Sequence, residues 1–153
     1  MRLLELMTSD PACCTPDTTL REVARMMVEY DCGEIPVCNS GERGTIVGVI
    51  TDRDIVCRAV ADGMDMSEAT VSQCMTTPAM TLTAESTLED AVNLMEENMI
   101  RRIPIVDKDG CVCGIVSQAD IARKSDGSKV GEVVREVSKP CEESSRVGSA
   151  SAR

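Results

Sequence analysis

The chain has 153 residues, 42% hydrophobic and 27% charged, which suits one ordinary globular domain and excludes collagen, coiled coil and wholesale disorder. It has no His, Phe or Trp and a single Tyr, so imidazole acid–base work, Ser-His-Asp and Cys-His triads, His-ligated zinc and aromatic platforms for single-stranded nucleic acid are all excluded. A net charge of −10 opposes any phosphate backbone, so nucleic acid is not an expected partner.

The opening Met1 to Met7 is too short and too polar for a signal peptide, and Thr8-Ser9-Asp10 follows directly. No run approaches the roughly 18 apolar residues of a membrane span, so no membrane partner and a cytoplasmic location are expected. After a short extended piece, Thr19-x-x-Glu22 reads as a capping box that opens an amphipathic helix carrying Leu20, Val23, Ala24 and Met27 on one face. Ile35-Pro36-Val37-Cys38 then reads as a strand, and Asn39 to Gly44 as turn chemistry. A second strand, Thr45 to Ile50, runs into a helix beginning near Thr51.

The same order returns. Residues 7–37 match residues 75–105 at a constant offset of 68: Met7-Thr8 falls on Met75-Thr76, Thr15 on Thr83, Thr19-Leu20 on Thr87-Leu88, and Ile35-Pro36-Val37 on Ile103-Pro104-Ile105. Past a turn two residues longer in the first copy the offset becomes 66, and Gly48 to Ile55 falls on Gly114 to Ile121. The second copy has its own capping box, Thr87-x-x-Asp90, and its own helical stripe of Leu88, Ala91, Val92 and Met95. Each copy therefore reads β-α-β-β-α. One such unit leaves a sheet face uncovered, and two can cover each other about a pseudo-two-fold axis, an α+β architecture. The partition is residues 1–68 for the first copy, 69–125 for the second, and 126–153 for a short helix with Val130, Val133, Val134 and Val137 followed by a flexible tail.

Two tandem copies of I-P-V/I followed by G-h-h-[T/S]-x-x-D at a strand-to-helix junction resemble the CBS-domain pair, or Bateman module, of the small stand-alone prokaryotic type. The resemblance spans about residues 1–125, and Gly48 to Asp54 with Gly114 to Asp120 are its specific part. It implies clefts between the repeats that hold AMP, ADP, ATP, NAD or S-adenosylmethionine, a regulatory role without catalysis, pairing into a homodimer, and an output through a separate protein.

The motif carries chemistry of its own. Thr51 and Ser117 stand where a strand enters a helix, so free backbone N–H groups and a hydroxyl favour an anion such as phosphate. Asp54 and Asp120, one helical turn on, can accept hydrogen bonds from both ribose hydroxyls. Thr-x-x-Asp is equally a capping box, and both roles can hold together. Just before the I-P strand the second copy has Arg101-Arg102 where the first has Gly33-Glu34, so the basic pair is the candidate phosphate partner and the first copy's site lacks one. Ile35, Pro36, Ile103 and Pro104, with Thr15 and Thr83, are candidates for an apolar adenine slot.

Nine cysteines form no C-x-x-C pair, so no metal site is expected and the thiols read as small hydrophobes filling a core without aromatics. The alternative is a cysteine-based redox or metal sensor on the same scaffold. Parallel pairing of the strand near Cys14 with the strand ending at Cys38 would bring their sulfurs within reach of a disulfide, which a reducing cytosol keeps open unless redox sensing is the purpose. No activating constellation for an enzyme nucleophile is present, so no catalytic residue is assigned.

Overall fold

A computed structural model describes residues 1–39, 44–124 and 127–139. In the first copy α1 (Leu20–Glu29) leads to β2 (Glu34–Cys38) and β3 (Ile46–Thr51), and α2 (Asp52–Asp54) continues into a π-helical segment, Ile55–Val60. In the second, α3 (Leu88–Asn98) leads to β5 (Arg102–Val106), β6 (Val112–Ser117) and α4 (Gln118–Lys124). Short strands β1 (Thr8–Ser9) and β4 (Leu82–Thr83) precede the two units, and α5 (Gly127–Val137) follows them. This is the expected α+β arrangement of two β-α-β-β-α repeats. Most of the first-copy turn (residues 40–43) and the tail from Pro140 onward, with Cys141, lie outside the described residues.

Both helix starts form as their capping boxes require. Glu22 N donates to Thr19 Oγ1 at 3.2 Å while Thr19 N donates to Glu22 Oε2 at 2.9 Å, and Thr87 and Asp90 repeat the exchange at 3.2 and 2.7 Å. Each box satisfies two N–H groups that the first helical turn leaves without partners. Neither helix ends on a glycine. Asp31 and Met99, equivalent at the offset of 68, turn the chain through the left-handed region with φ of 49° and 52°. That turn aims the following carbonyls back at the second helices: Asp52 N donates to Gly33 O at 3.0 Å and Gln118 N to Arg101 O at 2.8 Å.

The repeats exchange their leading segments. β1, before the first helix, lies antiparallel to β6 of the second copy, with Thr8 opposite Ile115. Its equivalent, Thr76, bridges antiparallel to Val49 on β3 of the first copy. The same reciprocity joins Arg2 to Thr87 and Thr70 to Thr19. Two cores result. Leu3 and Leu6 are buried with Leu88, Met95, Ile103, Val116 and Ile121, whereas Ala69, Val71 and Cys74 are buried with Leu20, Val23, Ile35 and Ile50. Leu3 and Leu6 each contribute roughly 1.5–3 kcal/mol by burial, all of it to the second copy's core. A basic residue near the end of each second helix fastens the exchanged segment. Arg58 Nη1 donates to Cys74 O at 3.1 Å and Met75 O at 3.3 Å, and Lys124 Nζ donates to Glu5 O at 2.6 Å. α5 seals the second core with Val133 and Val137. Among the described residues no helix is long and apolar enough to cross a membrane.

Candidate functional site

Both G-h-h-[T/S]-x-x-D junctions form capping boxes. Asp54 N donates to Thr51 Oγ1 and Thr51 N to Asp54 Oδ2, each at 3.0 Å. Asp120 N donates to Ser117 Oγ at 3.2 Å, and Ser117 N and Oγ donate to Asp120 Oδ2 at 2.8 and 2.6 Å. Both carboxylates are buried, at 8% exposure. Their remaining partners differ. Asp54 is held by the exchanged segment and the helix: Thr76 Oγ1 donates to it at 3.3 Å, and Arg58 Nη1 stands 3.5 Å from Oδ1. Asp120 pairs with Arg123, whose side chain is 69% exposed and free to turn toward a ligand.

Two clefts flank these junctions. The Ser117 cleft, about 360 Å³, is walled by Ser117, Ala119, Asp120 and Arg123 of α4 and its entry, by Thr8, Asp10, Pro11 and Ala12 of the exchanged segment, and by Tyr30 to Cys32 with Glu34 and Ile35 at the foot of β2. The Thr51 cleft, about 620 Å³, is walled by Thr51, Asp52 and Arg53, by Asn98 to Arg101 before β5 and Arg102 at its start, and by Val137 to Lys139 at the end of α5. Each cleft thus joins one copy's motif to the other copy's approach to its I-P strand. Both volumes suit a small ligand.

This crossing reassigns the basic pair. Arg101 and Arg102 line the Thr51 cleft, so the first copy's motif has the cations nearby. Sequence order had placed them with Ser117. Of the two, only Arg102 also reaches the Ser117 cleft.

Glu34 lines both clefts as well. It is 9% exposed, and its Oε2 is buried with no hydrogen-bond partner. Burial pushes its carboxyl up to about 7; the Arg102 charge works against that rise and the Asp54 charge adds to it.

Among the other sequence candidates, Ile35 lines the Ser117 cleft. Pro36, Ile103 and Pro104 are buried strand residues that line neither cleft. Thr15 and Thr83 close local turns with Thr18 and Ser86, at 3.2 Å between hydroxyls in each case, and also lie outside both clefts. Sequence reasoning missed Tyr30, Arg123 and Glu34. Arg123 was visible as the residue one turn beyond Asp120. Tyr30, the single aromatic, gave no periodic signal because it sits at the cap of α1.

Cys14 and Cys38 are on parallel neighbours, with Cys38 N donating to Cys14 O at 2.8 Å, and both are free thiols. Cys13 Sγ donates to Pro11 O at 3.5 Å. The neighbouring Cys13 thiol draws the Cys38 thiol down from its ordinary value, and Cys38 pushes Cys13 up. Burial, with the Cys38 charge adding, pushes Cys14 up to about 12. Among the described residues, no group of three Cys, Asp or Glu side chains is placed to hold a metal ion.

This architecture of two repeats, exchanged leading segments and paired clefts is that of a CBS-domain pair. The CBS domain pattern matches residues 3–60 and 71–127, and the chain belongs to that family. CBS domain-containing protein YhcV of Bacillus subtilis is 40% identical over 118 residues, covering 77% of this chain and 81% of that protein. Hypoxic response protein 1 of Mycobacterium tuberculosis is 32% identical over 136 residues, covering 89% of this chain and 93% of that protein. A crystal structure of Hypoxic Response Protein I with two coordinated zinc ions matches with a TM-score of 0.73, covering 82% of this chain and all of that one. The crystal structure of CBSX2 in complex with AMP matches with a TM-score of 0.68 at 26% identity, covering 80% of this chain and 93% of that one.

Proposed function

We propose that the chain is a non-catalytic regulatory module that takes up an adenosine-containing ligand in the clefts between its repeats. The observation that carries this reading is the Ser117 cleft, where a buried, cap-oriented Asp120 faces apolar walls of Tyr30, Ile35 and Ile115. Asp120 accepts the ribose hydroxyls through Oδ1, since Ser117 N and Oγ fill Oδ2 and the exposed Arg123 can turn aside. The apolar walls take the base. Phosphate is addressed by Arg101 and Arg102 in the Thr51 cleft. Support comes from the AMP complex of CBSX2 on the same fold.

Binding acts by population shift: a ligand touching both copies favours whichever relative placement of the two it fits best. The output passes to a second copy of the chain or to a separate partner. Val56 and Val60, 57% and 55% exposed on the π-helical segment, offer an apolar strip for a homodimer. Light scattering reports that assembly.

The test is thermal melting of the reduced protein with AMP, ADP, ATP, NAD or S-adenosylmethionine against the guanosine analogue GMP. A rise in Tm with an adenosine ligand and none with GMP is expected. No rise with any adenosine ligand overturns the proposal.

The closeness of the Cys13-Cys14 segment to Cys38, where Cys38 N donates to Cys14 O at 2.8 Å, favours a second reading, a thiol redox sensor on the same scaffold. A melting temperature that responds to reductant rather than to nucleotide identifies it.

A further inference from the structure

Glu34 and Arg102 are the same residue of the repeat, related by the offset of 68, and they head β2 and β5 at the same register. Glu34 lies opposite Thr51 in its hairpin and Arg102 opposite Ser117 in its own. Both line both clefts, so the two side chains are a common wall. Replacing a like pair by one acid and one base breaks the pseudo-two-fold symmetry where the clefts meet.

The remaining charged walls deepen that difference. Apart from the shared pair, the Ser117 cleft has Asp10, Asp31 and Asp120 against Arg123. The Thr51 cleft has Asp52 against Arg53, Arg101 and Lys139. One cleft is acidic and the other basic. Glu34 Oε2 is buried without a hydrogen-bond partner in the wall the two clefts share, an acceptor that the fold itself does not use.

We propose that Glu34 and Arg102 make the two clefts a complementary pair, in which a phosphate-bearing nucleotide occupies the Thr51 cleft and an uncharged or cationic nucleoside occupies the Ser117 cleft. This rests on the adenosine-binding reading and specifies its ligand classes. A phosphate in the Thr51 cleft draws the Arg102 guanidinium to itself and weakens the favourable field that Arg102 sets up at Glu34. In its ionised form Glu34 then favours a donor or positive charge in the Ser117 cleft and repels a second phosphate there. The coupling is reciprocal, because each ligand must change the other's affinity by the same factor.

The experiment is isothermal titration calorimetry on the reduced full chain at about pH 8.5, above the raised range of the Glu34 carboxyl, with AMP as the anionic probe and S-adenosylmethionine as the cationic one. AMP alone is expected to fill one site per chain. S-adenosylmethionine is expected to bind several-fold more tightly to AMP-saturated protein than to free protein, and AMP more tightly to the S-adenosylmethionine complex by the same factor. In Glu34→Gln that factor collapses toward one. Two equal AMP sites per chain, or displacement of one ligand by the other, overturns the pairing while leaving adenosine binding intact. Absence of binding by either ligand overturns the adenosine reading and the pairing with it. The wild-type measurements stand alone if Glu34→Gln fails to fold. Unchanged coupling in a folded Glu34→Gln removes Glu34 from the account.

Discussion

Thr76 and Val49 exchange both backbone hydrogen bonds, 2.8 Å from Thr76 N to Val49 O and 3.0 Å from Val49 N to Thr76 O, although one opens the second copy and the other lies inside the first. The approach is so close that it sets the residue beside it. A Cβ on Gly48 would stand 2.7 Å from Thr76 O and 2.9 Å from Thr77 Cγ2. At the equivalent Gly114 the atoms met are the Met7 side chain, led by its sulfur.

The two glycines therefore respond differently to substitution. Gly48→Ala must displace a backbone carbonyl, whereas Gly114→Ala is met by a flexible thioether that can move aside. Urea denaturation is expected to show a loss of about 1–3 kcal/mol for Gly48→Ala, the range of an overpacked core, and a smaller one for Gly114→Ala. Equal losses would mean that the exchanged segments are not held as described.

Glu34 gives the protein a pH-dependent stability. Its carboxyl is raised from 4.5 to about 7 in the folded chain, so between those values the folded state keeps a proton that the unfolded chain has released. The stabilisation is complete below 4.5 and is lost as pH rises through 7, a change on the order of 3 kcal/mol. Glu22 and Asp90, whose caps lower them, act only below the ordinary carboxylate range and leave this window clear. Melting at pH 5.5 and pH 7.5 is expected to favour the acid side in the wild type, with the slope removed in Glu34→Gln. An unchanged slope in that variant would contradict the assignment.

Much of this fold was legible in the residues. The capping boxes at Thr19 and Thr87, the I-P strands and the shift of offset from 68 to 66 account for the elements and their order. Segment exchange was not legible, because Met7-Thr8 and Met75-Thr76 are identical and would pair equally well within a copy or across copies. Placing Arg101 and Arg102 with Ser117 followed from that ambiguity. Glu34 was visible as the counterpart of Arg102, yet only its burial between two clefts distinguishes it from the other acids of a chain carrying 26. Tyr30 and the lining residues of α5 escaped notice because cleft walls assembled from loop ends have no period to detect.

The two motif aspartates divide structure and recognition. Each alanine substitution costs about 1 kcal/mol of capping. Asp54→Ala costs more than Asp120→Ala, because it also releases Arg58 and Thr76 of the exchanged segment, whereas beyond its cap Asp120 holds the exposed Arg123. Asp120→Ala weakens the occupant of the Ser117 cleft by about tenfold or more, the scale of a hydrogen bond to a charged group. Denaturation and calorimetry on both single variants check this; a larger binding loss in Asp54→Ala at that cleft would reverse the assignment.

Oxidation by a mild disulfide-forming reagent such as diamide is expected to join Cys13 to Cys38, since the two thiols are neighbours and Cys38, drawn below its ordinary value, is the readier thiolate. Non-reducing peptide mapping identifies the pair. A Cys14–Cys38 link would show that the buried Cys14 is the more accessible partner.

Calorimetric titration of AMP, ATP, NAD and S-adenosylmethionine into the reduced wild-type chain tests the central claim most directly. Saturable binding of at least one of them near micromolar affinity, worth about 8 kcal/mol, is predicted. No saturable heat from any of the four would contradict an adenosine-binding module.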